Sequence, residues 1–262
     1  MSEIHPTAII HKDAQLGENL YIGPYAIIEP GVEIRDNCQV EAHAVLRYGT
    51  ILEDGVKVDA HSVIGGLPQY QGFDPKTPSH VRVGANTLIR EHVTIHRSIE
   101  GNGATTIGPN CFLMGASHVA HDCHLGEYCT VANAALLGGH VEVGDNVFVG
   151  GGAAIHQFCR VGDGAMIGGN ATITRDIPPY LTAAERNLLA GLNLVGLRRR
   201  GTPLETIGEI KKLYTEILLG QGSAYESARN ALDAGHGQTP QGKKFLGFFD
   251  KKGRKYCRPK KR

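Results

Sequence analysis

Aliphatic residues recur at every sixth position through most of the first 180 residues of this chain. The repeat runs from Ile4 to Ile64, returns at Val83, and continues without a break from Ile107 to Ile173. A helix would repeat at about 3.6 residues and a half-buried strand at about 2, so neither explains a period of six. A fixed period of this kind is typical of a parallel β-helix built from hexapeptides. We therefore predict a β-helical domain over residues 1–180.

Three hexapeptides make one triangular coil, so residues that are 18 apart should stack on the same edge of the prism. The repeat contains 26 aliphatic positions, which predicts about nine coils. Neighbouring coils should lie about 4.8 Å apart, the spacing of hydrogen-bonded strands.

Two segments interrupt the repeat. Residues 66–80 (GLPQYQGFDPKTPSH) cannot be threaded as hexapeptides and are predicted to form a projecting loop. Residues 100–106 lack one aliphatic position, but Ile95 and Ile107 remain 12 residues apart, which suggests one remodelled hexapeptide in an unbroken register. Loops that leave a rigid scaffold commonly carry the binding site.

The repeat ends after residue 180, and residues 181–262 are predicted to hold a connecting segment, helices and a basic tail. Residues 203–219 place aliphatic side chains at helical spacing, and Pro203 suits the start of a helix. A second helix is predicted around residues 222–234. These helices would cover the last open coil of the prism.

Composition and charge narrow the function. The formal net charge is +1, yet residues 243–262 carry ten Lys or Arg and one Asp. A basic tail behind an acidic body indicates an anionic partner. Nucleic acid is the alternative partner, but a single terminal cluster without stacking aromatic residues across a whole domain supports it only weakly. The chain has neither a long apolar segment nor a signal pattern, so we expect a cytoplasmic protein without a transmembrane segment.

The six cysteines do not indicate disulfides or a metal. Five of them lie four residues after an aliphatic position of the repeat, where other coils have Ala or Ser: Cys38, Cys111, Cys123, Cys129 and Cys159. We therefore expect them to be small buried apolar residues.

The 18-residue spacing also aligns candidate chemistry. His121, Gly139 and Gln157 should stack on one edge, with Asp122 and His140 beside them and His156 on the same strip. An imidazole, a carboxylate and a glycine amide supply what acyl transfer needs, namely a general base, a group that orients it and an oxyanion donor. A β-helix has flat faces, so we expect a homotrimer whose substrate clefts lie between subunits.

Other interpretations of the polar residues remain open. His118, His121 and His124 could ligate zinc, but a spacing of three puts them in different phases of the hexapeptide, so we predict no metal. Four further histidines are expected to be solvated or structural: His43, His61, His92 and His96. The run of arginines at residues 198–200 is either a solvated face or a phosphate contact.

Six segments resemble the UDP-N-acetylglucosamine O-acyltransferase family, whose members catalyse the first step of lipid A synthesis. They are residues 90–97 (REHVTIHR), 118–123 (HVAHDC), 138–141 (GGHV), 154–158 (AIHQF), 176–180 (DIPPY) and 196–201 (GLRRRG). The resemblance implies a left-handed β-helix, a trimer, and metal-independent transfer of a 3-hydroxyacyl chain from acyl carrier protein to the sugar 3-hydroxyl. It also implies a Gram-negative type of bacterium and no cofactor beyond the carrier thioester.

The resemblance also implies roles for individual residues. His121 would be the general base, Asp122 would orient it, and the Gly139 amide would hold the oxyanion. The sugar nucleotide would be bound by Gln69, His118, His140, His156, Gln157, Asn193 and Arg200. Arg199 would meet the phosphopantetheine of the carrier, the basic tail would meet the carrier itself, and Gly169 would occupy the position that limits acyl length.

The chain departs from the family pattern near the acceptor. The loop reads PQYQG at residues 68–72, without the Asp and Lys that the family usually has, and Val195 replaces an expected Glu. A 3-amino sugar nucleotide therefore stays an alternative acceptor. A related N-acyltransferase would carry a further N-terminal domain, for which a repeat beginning at Ile4 leaves no room. A sugar-nucleotide-binding protein without activity and a trimeric zinc carbonic anhydrase are the alternatives from other classes.

Overall fold

A computed structural model describes residues 1–220 and 222–259, and most of this chain winds into a left-handed parallel β-helix. Each strand is short, and its second residue is usually the aliphatic position of the repeat. Successive coils pair in parallel at a spacing of 18 residues, as in Ile4 with Ile22 and Ile22 with Val40. The predicted fold class is confirmed.

The strands form three sheets, one on each face of the prism. Sheet 1 contains Glu3–Ile4, Tyr21–Ile22, Gln39–Val40, Lys57–Val58, Leu88–Ile89, Phe112–Leu113, Thr130–Val131, Phe148–Val149 and Met166–Ile167. Sheet 2 contains Ile9–Ile10, Ile27–Ile28, Val45–Leu46, Val63–Gly66, Thr94–His96, His118–Val119, Leu136–Leu137, Ala154–Ile155 and Thr172–Ile173. Sheet 3 contains Gln15–Leu16, Glu33–Ile34, Thr50–Leu52, His80–Val83, Ala104–Ile107, His124–Leu125, Glu142–Val143 and Arg160–Val161. These strands make nine coils, of which the last lacks its third strand.

The interior is filled by the aliphatic positions and by the small residues that follow them. Ile22, Ile28 and Ile34 are almost fully buried, one on each sheet. All six cysteines are buried with free thiols, as predicted, and burial raises the pKa of Cys38 to about 11. The corners turn through residues in the left-handed backbone region, where Asn and His are common, for example Asn37 at φ 61°.

Both insertions leave the prism where sheet 2 passes into sheet 3, a corner that we call the 2–3 edge. Residues 67–79 form the projecting loop, and residues 97–103 form a second loop one coil later. Thr94 pairs with His118, 24 residues on, so six extra residues leave the coil here. The predicted remodelled hexapeptide is therefore wrong, because Ile107 lies on sheet 3, the next face after Ile95, instead of on sheet 1.

After residue 180 the chain adds Leu181–Ala184 to sheet 1, pairs it with the antiparallel strand Leu188–Leu192, and later adds Arg258–Pro259. The helices are α1 (Leu194–Arg199), α2 (Leu204–Tyr214) with a π-helical turn (Thr215–Leu219), α3 (Ala224–Asp233) and α4 (Pro240–Gly247). Sequence reasoning predicted the second and third of these and missed the others, because α1 is short and α4 is bounded and interrupted by glycines.

The C-terminal segment is tied to the prism by ion pairs. Asp176 is buried and pairs with Arg160 at 3.2 Å and with Arg254 at 2.5 Å. Lys244 contacts Asp163. Three residues of the predicted basic tail, at positions 260–262, lie outside the described residues. Within the part of the chain that is described, no helix is long and apolar enough to cross a membrane.

The outward faces of the sheets differ in polarity. On sheet 2 the outward positions include Ile9, Ile27 and Leu136, which are 62%, 36% and 47% exposed. On sheet 3 the outward positions are mostly polar, as in Glu33 and Arg82. An exposed apolar face on a prism indicates a surface that another molecule covers.

Candidate active site

His121 and Asp122 form a hydrogen-bonded pair in the turn that follows His118–Val119 on the 2–3 edge. The His121 Nδ1 atom lies 2.8 Å from Asp122 Oδ2, and the two side chains are 14% and 10% exposed. Because a carboxylate only accepts, Nδ1 carries the proton and Nε2 keeps its lone pair. A histidine held in this tautomer is ready to act as a general base.

The Asp122 carboxylate is fixed by groups from the 97–103 loop. Its oxygens accept hydrogen bonds from the Ser98 hydroxyl and, at 3.1 Å, from the Ile99 N–H. Burial favours the protonated acid, but the hydrogen bonds from Ser98, His121 and Ile99 outweigh it and lower the pKa of Asp122. The carboxylate is therefore charged at neutral pH and stabilises a protonated His121.

Gly139 lies directly against the His121 ring, one coil further on. A Cβ at Gly139 would come within 2.6 Å of His121 Cε1, so only glycine fits. In the equivalent turns of sheet 3, the backbone N–H groups of Glu127 and Asp145 donate to an aspartate of the next coil. The Gly139 N–H donates to no acceptor among the described residues. It is therefore available to a ligand beside His121.

The next two coils continue this strip. The His140 ring packs edge-on against His121 at 5.1 Å between centroids and stacks on Phe158 at 4.6 Å. His156 and Gln157 are exposed in the turn above. The structure thus places His121, Gly139 and Gln157 on one edge, in the order that the 18-residue spacing predicts.

Two further histidines lie on sheet 2 below this strip. His118 Nδ1 is 2.8 Å from Thr94 Oγ1, and the His96 ring packs edge-on against His118 at 4.7 Å. His96 is buried, and burial lowers its pKa to about 4, with the charges of His118 and His121 adding to the effect. Burial and, to a lesser degree, the charge of His121 also lower the pKa of His118. Sequence reasoning grouped His96 with the solvated or structural histidines, and the structure shows it buried against His118.

The remaining predicted site residues lie elsewhere on the chain. Gln69 is exposed in the 67–79 loop, on the 2–3 edge. Gly169 lies on the edge between sheets 1 and 2, where a Cβ added to it would meet the Gly151 carbonyl oxygen first. Arg199 is exposed in the last turn of α1. Within one chain, Gly169 and Arg199 therefore lie away from the edge that carries His121, whereas Gln69 shares that edge.

Asn193 and Arg200 lie at the edge between sheets 3 and 1. The Asn193 side chain caps α1 by accepting from the Gly196 N–H at 3.0 Å, and it donates to the Gly164 carbonyl at 3.0 Å. The Arg200 guanidinium lies next to Gly164 and Tyr180, and burial lowers its pKa. Their assignment to the nucleotide remains a prediction, and Asn193 has a structural role of its own.

The His118, His121 and His124 set lies on a strand of sheet 2, in a turn and on a strand of sheet 3, so it does not form one site. A tighter group exists, since ligand atoms of His121, Asp122 and His140 all lie within 4.8 Å of one another. His121 Nδ1 already bonds to Asp122 there, which is the arrangement of a catalytic pair. The absence of a metal requirement stays a prediction.

A basic cavity adjoins the top of this strip. It has a volume of about 530 Å³ and is lined by Gln157 and Phe158 on one side and by Lys251, Lys252 and Lys255 on the other. The described part of the basic tail is therefore next to the 2–3 edge. An acidic ligand bound by these lysines would lie within reach of Gln157.

Matches to protein-family models identify the class of protein to which this chain belongs. Family models for bacterial transferase hexapeptide repeats match residues 104–139 and 140–175, and a succinyltransferase hexapeptide model matches residues 14–47. The second domain of UDP-N-acetylglucosamine O-acyltransferases matches residues 176–257. The repeat and the second domain together define a hexapeptide-repeat acyltransferase.

Individual relatives narrow the class to one family. The UDP-N-acetylglucosamine O-acyltransferase of Halorhodospira halophila is 42% identical over 88% of this chain and 90% of its own length. That of a Sulfurihydrogenibium species is 55% identical over 82% and 79%. The crystal structure of the Bacteroides fragilis UDP-N-acetylglucosamine acyltransferase has a TM-score of 0.92 at 35% identity and covers 98% of this chain and all of its own. This chain belongs to the UDP-N-acetylglucosamine O-acyltransferase family.

Proposed function

We propose that this chain transfers a 3-hydroxyacyl group from acyl carrier protein to the 3-hydroxyl of UDP-N-acetylglucosamine, the first step of lipid A synthesis. The observation that carries the proposal is the shielded His121–Asp122 pair, which lies against Gly139 with its free N–H. Family membership supplies the substrates. Both are expected in the cytoplasm, where the enzyme would act.

The chemistry follows from the positions of these groups. The Nε2 lone pair of His121 accepts the proton of the sugar 3-hydroxyl while its oxygen attacks the thioester carbonyl carbon. The carbonyl oxygen becomes an oxyanion and accepts a hydrogen bond from the Gly139 N–H. When the intermediate collapses, the carbon–sulfur bond breaks and the thiolate takes the proton from His121. Asp122 stabilises the imidazolium throughout.

We propose a homotrimer in which each cleft is shared by two subunits. The outward face of sheet 2 would be covered by a neighbour, since its exposed apolar side chains, among them Ile9, Ile27 and Leu136, are costly in water. Gly169 and Arg200 lie on other edges of the chain than His121, so they could reach the reacting groups only from a neighbouring subunit. A threefold arrangement of prisms meets this requirement.

Subunit mixing tests the shared cleft. We expect the variants His121→Ala and Arg200→Ala each to have low activity, and trimers refolded from an equal mixture to regain part of it. Mixed trimers, verified by native mass spectrometry, that stay as inactive as their parents would contradict the proposal.

We propose that the basic tail receives the carrier protein. Lys251, Lys252 and Lys255 border the cavity next to Gln157, so an acidic carrier docked there would have its thioester close to the strip. Replacing Lys252 by Glu should raise the KM for the carrier thioester and leave the KM for the sugar nucleotide unchanged. Equal changes in both constants would show that the lysine does not serve docking.

Mass spectrometry of reaction products tests the function itself. The purified protein would be given a panel of acyl carrier thioesters with UDP-N-acetylglucosamine or with its 3-amino analogue. We expect an ester of the first acceptor, with a long 3-hydroxyacyl chain because Gly169 adds no bulk. If only the 3-amino analogue were acylated, to an amide, then the 3-amino sugar nucleotide would be the acceptor. The absence of any acylated product would refute the activity.

A further inference from the structure

The Asp122 carboxylate depends on a residue outside the turn that carries it. Ser98 is fully buried, and its hydroxyl donates to Asp122 Oδ1 while accepting from the Glu100 N–H at 2.9 Å. With Oδ1 occupied in this way, Oδ2 is left facing His121 Nδ1 at 2.8 Å. Rotation about the last bond of an aspartate is otherwise soft, so the carboxylate needs such a partner to keep one orientation.

A competitor for the same oxygen lies close by. His140 Nε2 is 4.0 Å from Asp122 Oδ2, so a small rotation of the carboxylate would favour His140 over His121. His121 would then lose the partner that fixes its tautomer. The Ser98 hydroxyl on Oδ1, together with the Ile99 N–H on Oδ2, therefore holds the carboxylate toward His121.

The backbone of the same residue is bound to the 67–79 loop. The Ser79 hydroxyl donates to the Ser98 carbonyl at 2.6 Å. The preceding residue, Arg97, is 2% exposed and donates to the carbonyls of Pro75 and Thr77 at 2.6 Å each. Its guanidinium also lies over the rings of Tyr48 and Phe73, at 5.4 and 5.1 Å from their centroids.

We propose that Ser98 is a positioning residue for the His121–Asp122 pair, and that residues 97–99 link the conformation of the 67–79 loop to the alignment of that pair. One face of this short segment holds the loop and the other holds the carboxylate. A ligand that orders the loop thereby also orders the base. This inference rests on the proposed acyl transfer, in which His121 is the base.

The test compares Ser98→Ala with Ser117→Ala under steady-state conditions. Ser117 is an equally buried serine whose hydroxyl has no partner among the described residues, so it controls for the loss of a buried hydroxyl. We expect Ser98→Ala to lower kcat about ten- to a hundredfold with little change in KM, the effect of losing a hydrogen bond to a charged group. Ser117→Ala should behave as wild type.

The pH profile separates positioning from a structural effect. Without the Ser98 donor the carboxylate turns toward His140, and the His121 imidazolium loses the partner that stabilises it, so the acid limb of kcat/KM should move to lower pH. Ser98→Thr keeps the hydroxyl and should restore the wild-type limb. A Ser98→Ala enzyme with unchanged kcat and an unchanged profile would overturn the proposal.

Ser79→Ala tests the link to the loop and serves as a second route if Ser98→Ala does not fold. We expect kcat to fall and the KM for UDP-N-acetylglucosamine to rise together, because the loop and the carboxylate are both loosened. A change in KM alone would show that the loop and the base are independent. Wild-type protein without any acylated product would instead refute the proposed function, so the two failures are distinguishable.

Discussion

Two edges of this prism carry stacked rings, and only one of them carries the candidate base. On the edge between sheets 1 and 2, Tyr25, His43, His61 and His92 stack in parallel with centroids 5.0–5.1 Å apart. All four are exposed and occupy left-handed turn positions. On the 2–3 edge, His121 is shielded, bonded to a carboxylate and packed against a glycine. The winding stacks histidines on both edges, so stacking alone does not make a base.

The difference lies in what covers each edge. Both insertions, residues 67–79 and 97–103, leave from the 2–3 edge in successive coils just below His121. Residues 97–103 bring Ser98 and the Ile99 N–H to Asp122, and residues 67–79 hold Ser98 and Arg97 by hydrogen bonds. The regular coils place His121, Asp122 and Gly139, and the irregular loop at residues 97–103 supplies the groups that fix the carboxylate.

The largest expected effect is the loss of His121. His121→Ala should lower kcat by about 10²–10⁴-fold, the range for a general base, because no other described histidine on the strip has its Nδ1 hydrogen-bonded to a carboxylate and its Nε2 free. Turnover of carrier thioester measures it, with circular dichroism to verify the fold. Activity within tenfold of wild type would mean that another group removes the proton.

Gly139→Ala should have the next largest effect. Its methyl group would displace the His121 ring and crowd the oxyanion position, so kcat should fall by about 10²-fold or more. Gly151→Ala is the matched change on the edge between sheets 1 and 2, where the nearest atom would be the Asn133 carbonyl oxygen at 3.3 Å. Equal losses in the two variants would remove the distinction between the edges.

The buried His96 should make the free energy of unfolding depend on pH. Its pKa is about 4 in the folded chain and near 6.5 when unfolded, so the unfolded state gains a proton first as the pH falls. The contribution of His96 to the free energy of unfolding is therefore fully present above pH 6.5. It is lost as the pH falls to about 4, and the loss is roughly 3 kcal/mol. Urea unfolding of wild type and His96→Leu between pH 8 and 4 measures this. Parallel curves for the two proteins would contradict it.

The smallest effect is expected on the exposed stack. His61→Ala should leave kcat within about twofold and unfolding free energy within about 0.5 kcal/mol, as is usual for surface changes away from special features. The same assays measure it. A loss comparable with that of His121→Ala would give the second edge a function.

Much of this arrangement was predictable from sequence because the hexapeptide period fixes which residues stack. His121, Gly139 and Gln157 share an edge for that reason alone. The period could not place Ser98 next to Asp122, since the 97–103 loop does not follow the hexapeptide repeat. For the same reason it predicted the wrong sheet for Ile107, the first aliphatic position after that loop. Nor could it predict that Asn193 caps a helix, because α1 is too short to show a pattern.

A crystal structure with UDP-N-acetylglucosamine tests the central claim most directly, that the loop-covered 2–3 edge is the catalytic one. The account predicts the sugar 3-hydroxyl within about 3 Å of His121 Nε2, with the 67–79 loop against the ligand. A sugar nucleotide bound along the Tyr25–His92 stack, or with its 3-hydroxyl out of reach of His121, would contradict it.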